Sequence, residues 1–378
     1  MKFLFIPDSF KGTLSSVEVC SVLDSVSKEI FPSSSAISIP VADGGEGSVD
    51  VFLSLGLGEK KECKAHNSFM EEKLAYYLFN FQNQTAIVEL AVTSGLPEVY
   101  DRRNPMLTTT YGVGEVVLDA INAGAKKIII ALGGSSTNDG GVGIACALGA
   151  KFFNQKDEEF LPVGGTLSEI KSIDVNALDE RIKGVEFSVM CDVDTVLTGN
   201  LGASAVYGPQ KGASPEQVEV LDKGLLHLND LFLSLYNKDF SRLVGGGAAG
   251  GAGAGISAFL GGKLESGIEI VLRLTEFEKK VADCDYVFTG EGKFDEQSFM
   301  GKVINGVSDK TQKLGKKLIV IAGIIKGVSS DEIFSHGISG AYATNPNNLP
   351  FEEVRASAKE DLITTARQVF EDIKLGKI

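Results

Sequence analysis

Four segments of the chain set an acidic side chain among glycines. They are Asp43-Gly44-Gly45-Glu46-Gly47, Asn138-Asp139-Gly140-Gly141, Cys191-Asp192-Val193-Asp194 (Gly199 and Gly202 follow shortly) and Gly290-Glu291-Gly292-Lys293-Phe294-Asp295. Most come just after a hydrophobic run. Glycines let backbone N–H groups approach phosphate oxygens closely. Carboxylates hold Mg²⁺, which keeps several waters and bridges to substrate phosphates. Taken singly, each segment also reads as a tight turn, because Gly and Asp are common turn formers. Their recurrence favours a phosphate-and-magnesium site.

Other residues carry compatible chemistry. Asp8-Ser9-Phe10-Lys11-Gly12 follows the first apolar run. Lys11 suits a phosphate, and Asp8 a metal or a proton; an Asx-capped turn is the alternative. Arg103, before Thr108-Thr109-Thr110, is a candidate bidentate clamp for a carboxylate, or half of a solvated charge pair. Gly133-Gly134-Ser135-Ser136-Thr137-Asn138-Asp139 links a strand to a short helix. It reads as an anion site at a helix start, or as a helix capped by Asn138 or Asp139. Gly245-Gly246-Gly247-Ala248-Ala249-Gly250 matches G-x-G-x-x-G. It lacks a clear preceding strand and a well-placed acidic partner. A phosphate cradle and a Gly/Ala packing contact both remain open for it. No G-x-x-x-x-G-K-[ST] occurs, and no H-R-D or D-F-G set, so P-loop and protein-kinase chemistry are excluded.

The elements that must position these residues are α/β. Residues 2–7 read as a buried strand, followed by a helix opened by the capping box Ser15-x-x-Glu18. A strand over 36–41 and a helix over 46–55 complete a βαβα start. The C-terminal third alternates likewise: strand 285–289, helix 301–314, strand 317–322, helix 329–336, strand 338–344 and one long helix over 351–373. Residues 63–84 alternate polar and aromatic side chains and read as antiparallel strands. The expected fold is a Rossmann-like parallel-sheet domain formed by residues 1–64 and 261–378, with a mixed α/β domain inserted at 65–260.

Composition narrows the function. The chain has 378 residues, 43% hydrophobic and 23% charged, as in ordinary globular proteins. Its 44 glycines exceed the usual ~7% and cluster in loops. A net charge of −14 argues against a nucleic-acid partner. The five scattered cysteines, with no C-x-x-C, read as reduced thiols of a cytoplasmic protein. Three isolated histidines disfavour a His-based metal site or a Ser-His-Asp triad. Phe3-Leu4-Phe5-Ile6 is too short for a signal segment, and no run is long enough to span a membrane.

In order along the chain, the motifs resemble those of glycerate kinase family 1. The matching segments are Pro7-Asp8-Ser9-Phe10-Lys11-Gly12, Pro40 to Gly47, Arg103-Asn104-Pro105 with Thr108 to Gly112, and Leu132 to Gly141. They continue with Cys191 to Asp194, Gly202-Ala203-Ser204, Tyr207 to Ala213 with Lys211, Gly247 to Gly251, Gly267 to Val271, and Thr289 to Gly292 with Asp295, Gln297, Gly301 and Lys302. The resemblance implies ATP- and Mg²⁺-dependent phosphorylation of D-glycerate, with 2-phosphoglycerate the favoured product. It also implies two α/β domains with the site in the cleft between them. Within that picture Asp192 and Asp43 are candidates for general base or metal ligand, and Glu291 and Asp295 for metal or nucleotide contacts. Lys11, Lys211 and Lys302 would contact phosphates. Gly133, Gly134, Ser135 and Ser136 would cradle phosphate or the glycerate carboxylate, Arg103 would clamp the substrate, and Asp8 and Ser9 would line the site. A homodimer is a candidate assembly. Two rivals are weighed: a Rossmann-type hydroxy-acid dehydrogenase and a non-catalytic metabolite-binding protein.

Overall fold

The computed structural model describes residues 1–41, 44–45, 47–299 and 302–378. The chain divides into two compact units: Met1–Asp43 with Ser266–Ile378, and Gly44–Glu265. Residues 48–64, expected with the first domain, belong to the second unit. The reason is pairing: the Glu59–His66 strand runs antiparallel to Glu72–Asn80, which pairs in turn with Thr85–Glu89.

The first unit is built on five parallel strands ordered Ile338–Ala343, Lys317–Ala322, Tyr286–Thr289, Lys2–Phe5, Ser35–Ser38. Numbered along the chain, that is the doubly wound order 2-1-3-4-5, whose ligand crevice lies outside the carboxyl ends of strands 1 and 3. The first helix, Ser16–Ile30, begins with the expected box: Ser15 Oγ accepts from the Glu18 N–H, and the Glu18 carboxylate accepts from the Ser15 N–H. Val19, Leu23 and Val26 of this helix pack with Phe370, on Phe3, Phe5 and Phe288 of the sheet. Leu4, Val287, Leu318 and Val320 alternate with those residues and are also buried, so both sheet faces are covered.

The expected long C-terminal helix is two helices, Phe351–Val354 and Ala358–Lys374. At the break the Ser357 N–H and Oγ both donate to the Val354 carbonyl, and Oγ also donates to Asp361 Oδ2 at 2.7 Å. A serine that bonds its own backbone offers an alternative to continuing the helix.

The second unit has six strands ordered Lys263–Glu265, Glu186–Met190, Lys127–Ala131, Thr85–Glu89, Glu72–Asn80, Glu59–His66. The first four are parallel and the last two add an antiparallel edge. Glu89, Ala131, Met190 and Glu265 lie in register across the carboxyl edge. Loops that leave this row therefore emerge together on one side. Among the described residues no helix is long and apolar enough to cross a membrane.

Candidate active site

Gly44 and Gly45, Gly133 and Met190, which lie in or beside three of the Gly/acid segments, come together at the carboxyl edge of the second unit's sheet. The Gly133 N–H donates to the Gly44 carbonyl at 2.8 Å. A Cβ on Gly133 would lie 2.4 Å from Gly45 Cα, and one on Gly44 would lie 2.9 Å from Met190 Cγ. These glycines allow the 44–45, 133–134 and 190–192 backbones to approach as they do. Glu89 anchors the first of them from inside. It is 3% exposed, and its carboxylate accepts the N–H groups of Gly47 at 2.9 Å and Val49 at 3.2 Å. Reading the sequence missed Glu89; the signal was a carboxylate ending the apolar run Ala86-Ile87-Val88. Asp43 lies outside the described residues. Asp192 is exposed, two residues beyond the Glu186–Met190 strand.

The 133–139 loop is held largely from within. Ser136 turns inward, Oγ donating to the Ser94 carbonyl at 2.9 Å. Lys211 is 2% exposed, and its ammonium donates to Ser135 Oγ at 2.8 Å and to the Thr137 carbonyl at 2.7 Å. Burial lowers the Lys211 ammonium to about 7, against an opposing pull from Asp139. Asp139 is wholly buried and accepts from the Thr110 N–H, Thr110 Oγ1, Thr109 Oγ1 and the N–H groups of Gly141 and Gly143. Burial pushes its carboxyl up against those donors. The N-cap residue of the Val142–Ala147 helix is Gly141, without a side-chain cap bond of its own, while the Asp139 carboxylate two residues before it occupies the N–H groups of Gly141 and Gly143. Two polar atoms of the loop stay buried and unpaired, Thr137 Oγ1 and Asn138 Oδ1. Gly134, with φ +73°, is exposed at the loop tip.

Arg103 packs beside this assembly. Its Nη1 donates to the Gln210 carbonyl at 3.2 Å, its guanidinium lies 4.8 Å from the Tyr100 ring centre, and its Nε is buried without a partner. Arg102 is spent on a bidentate pair with Glu71. The G-x-G-x-x-G run resolves as packing. A Cβ on Gly250 would lie 2.1 Å from the Thr137 carbonyl oxygen, and one on Gly247 2.1 Å from that of Val196. Its backbone is covered by protein, which leaves no face for a dinucleotide phosphate.

The fourth segment belongs to the other unit and sits at that sheet's topological switch point. The Asp8 N–H donates to the Gly290 carbonyl at 2.8 Å, and a Cβ on Gly292 would lie 3.4 Å from Lys11 N. The two loops thus run side by side beyond strands 1 and 3. Ser9 N–H donates to Asp8 Oδ1. Burial raises the Glu291 carboxyl, a hydrogen bond from Ser298 and the charge of Lys302 oppose the rise, and the charges of Asp8 and Asp295 add to it. Glu291 Oε1 is buried and unpaired. Asp295 is held low, chiefly by Lys293 at 2.6 Å. Lys302 and Lys11 are exposed.

Among the described residues no three His, Cys, Asp or Glu side chains stand close enough to ligate one ion. Of the expected metal ligands, Glu291 and Asp295 share one unit and Asp192 belongs to the other. Mg²⁺ held with substrate phosphates needs only one or two carboxylates. The unpaired oxygen of Glu291, with Asp8 and Asp295 near it, meets that demand.

A family model for glycerate kinases matches residues 3–374. The chain is 40% identical over 378 residues to a glycerate kinase of Bacillus subtilis (strain 168), covering 100% of this chain and 99% of that protein. It is 38% identical over 377 residues to a glycerate 2-kinase of Escherichia coli (strain K12), with 100% and 99% covered. A crystal structure of a putative glycerate kinase 2 from Salmonella typhimurium LT2 resembles it with a TM-score of 0.85 at 37% identity, covering 100% of this chain and 99% of that one.

Proposed function

Because the chain belongs to the glycerate kinase family, we propose that it transfers the γ-phosphoryl group of ATP to D-glycerate, giving 2-phosphoglycerate. Supporting this reading are carboxylates and glycines at the carboxyl ends of parallel strands in both units. Phosphoryl transfer asks for positioning and charge stabilisation more than for covalent chemistry. Each unit supplies a different part of that.

In the first unit Lys11 and Lys302 meet phosphate oxygens. Glu291, with Asp8 or Asp295, would hold Mg²⁺, which when bound neutralises charge on the β- and γ-phosphates. Of these, Asp295 is already engaged by Lys293. In the second unit Arg103 pairs with the glycerate carboxylate through the donors that Gln210 leaves over. Ser135, fixed by Lys211, orients the substrate within the glycine loop. Asp192 accepts the hydroxyl proton as the phosphoryl group arrives.

The test is one ³¹P NMR spectrum of the products from ATP, Mg²⁺ and D-glycerate. A phosphomonoester coupled to the C2 proton is expected. Coupling to the C3 protons would overturn the regiochemistry, and no phosphoglycerate at all would overturn the reading.

A further inference from the structure

Loops at the carboxyl edge of the first unit enclose a pocket of about 170 Å³. Every residue lining it belongs to that unit. Its walls include the apolar side chains Phe10, Ile324, Phe351, Val354 and Ala358. Helix breaking shapes one side: the turn at Ser357 sets Val354, Ala358 and Asp361 around the opening. Asn345 shapes another. Its side-chain amide clasps the Leu349 backbone, Nδ2 donating at 2.9 Å and Oδ1 accepting at 3.0 Å, which holds the 345–349 turn beside the pocket.

Location speaks for a ligand. Lys11 and Gly292 line the pocket and also border the switch point after strands 1 and 3. Doubly wound sheets bind ligands there. Size speaks for part of a ligand. Pockets that enclose whole cofactors run to ~300–1,000 Å³, so this one takes a fragment and leaves the rest outside. Chemistry selects the fragment. Phe351 is 45% exposed at the lip, and its ring lies against Gly12, where a Cβ would stand 2.9 Å from Phe351 Cζ. A large exposed aromatic beside an apolar slot offers a stacking face for a flat heterocycle. Among the described residues Lys11 has no hydrogen-bond or ion-pair partner, so its cation at the same lip is available to an anionic group attached to that ring. A flat ring carrying phosphates is a nucleotide.

We propose that this pocket takes the base of the nucleotide donor, with Phe351 stacked on the ring and Lys11 meeting the phosphates. The proposal rests on the reading of the chain as an ATP-using kinase. In it the phosphates pass from the pocket toward Gly292 and Glu291, the side on which the metal-holding carboxylates lie.

Two substitutions test it. Phe351→Ala removes the stacking face at an exposed position, where folding is not at stake. Ala358→Trp fills the slot. Three quantities decide: the dissociation constant of ADP without glycerate, the KM values for ATP and for glycerate, and the inhibition constant of inorganic tripolyphosphate, which has no base. Both variants should bind ADP roughly tenfold more weakly or worse, the scale of one lost stacking contact. KM for ATP should rise in step, while KM for glycerate and the tripolyphosphate constant stay put. ADP affinity within twofold of the unmodified chain in Phe351→Ala overturns the pocket assignment, even if Ala358→Trp does not fold. Equal weakening of ADP and tripolyphosphate also overturns it, because the loss would then belong to the phosphates. An unmodified chain that binds ADP but leaves glycerate unphosphorylated sinks the kinase reading and leaves the pocket standing. One that binds no ADP sinks both.

Discussion

Asp192 and Lys211 stand at opposite extremes of exposure. Asp192 is exposed at a strand end. Asp192→Asn keeps the shape and removes the charge, so kcat should fall by ~10²-fold or more, as for a lost acid/base group. Circular dichroism should be unchanged. Steady-state turnover within a few-fold of the unmodified enzyme would place the base elsewhere. Lys211 is buried, and its ammonium is depressed to about 7 from an ordinary value of 10.5. Between those values the folded chain binds fewer protons than the unfolded one, so stability rises with pH. The cost of charging the amine is fully present below pH ~7 and is relieved toward ~10.5. Denaturant midpoints at pH 7 and pH 9 should therefore climb in the unmodified protein, and Lys211→Met should flatten that climb. A parallel climb in both would refute the assignment. At this scale the residue types were legible in the sequence but their depth was not. Lys211 sits in Tyr207-Gly208-Pro209-Gln210-Lys211, where the family resemblance implied a phosphate contact and nothing in the residues marked the side chain as buried. Only the surrounding fold turns its ammonium under Ser135.

Among the elements, the glycine segments act as spacers between backbones. Gly133 sets the approach between the 44–45 and 133–134 backbones in the second unit. Its neighbours there are backbone atoms, Gly45 Cα and the Gly44 carbonyl oxygen, and cannot rotate away. Gly133→Ala should destabilise that unit by roughly 1–3 kcal/mol, the usual cost of overpacking. It should also lower activity more than stability alone explains, because it parts the 44–45 and 133–134 loops. Urea unfolding together with a kcat measurement checks this; an unaltered midpoint would mean the loops separate freely. Strongly patterned elements could be read in advance. The Ser15–Glu18 box and the apolar spacing after it gave the first helix, and alternation over 63–84 gave the antiparallel pair. The 351–373 helix looked continuous because its periodicity carries across Ser357. Periodicity reports a buried face, and the hydrogen bonds of one serine do not disturb it. In the 245–255 run the glycines gave no hint of what they touch, since a phosphate and a neighbouring carbonyl ask for the same missing side chain.

For the whole molecule, topology decides what can fold alone. Residues 44–265 are contiguous and own a core running from Val88 and Ile130 to Phe232 and Ile256. A fragment of residues 44–265 should unfold cooperatively in denaturant and protect its central strand amides from exchange. A fragment that exchanges all amides at once would contradict this. Parallel-sheet class was readable from the alternation of strands and helices. Strand order was not, because the pairing of Lys2–Phe5 with Tyr286–Thr289 joins positions that no local pattern connects. That pairing sets a clock during synthesis. At about 5–20 residues per second, tens of seconds separate the emergence of Phe5 from that of Phe288. Throughout that interval the apolar stretch Phe3-Leu4-Phe5-Ile6, destined for the middle of a sheet, has a strand partner on one side at most. The nascent chain must keep it from other chains while residues 44–265 mature. The Asp8 and Glu291 loops thus come together only after residue 290 has emerged, so a ribosome that stops short of it releases a folded middle beside an unfinished first unit.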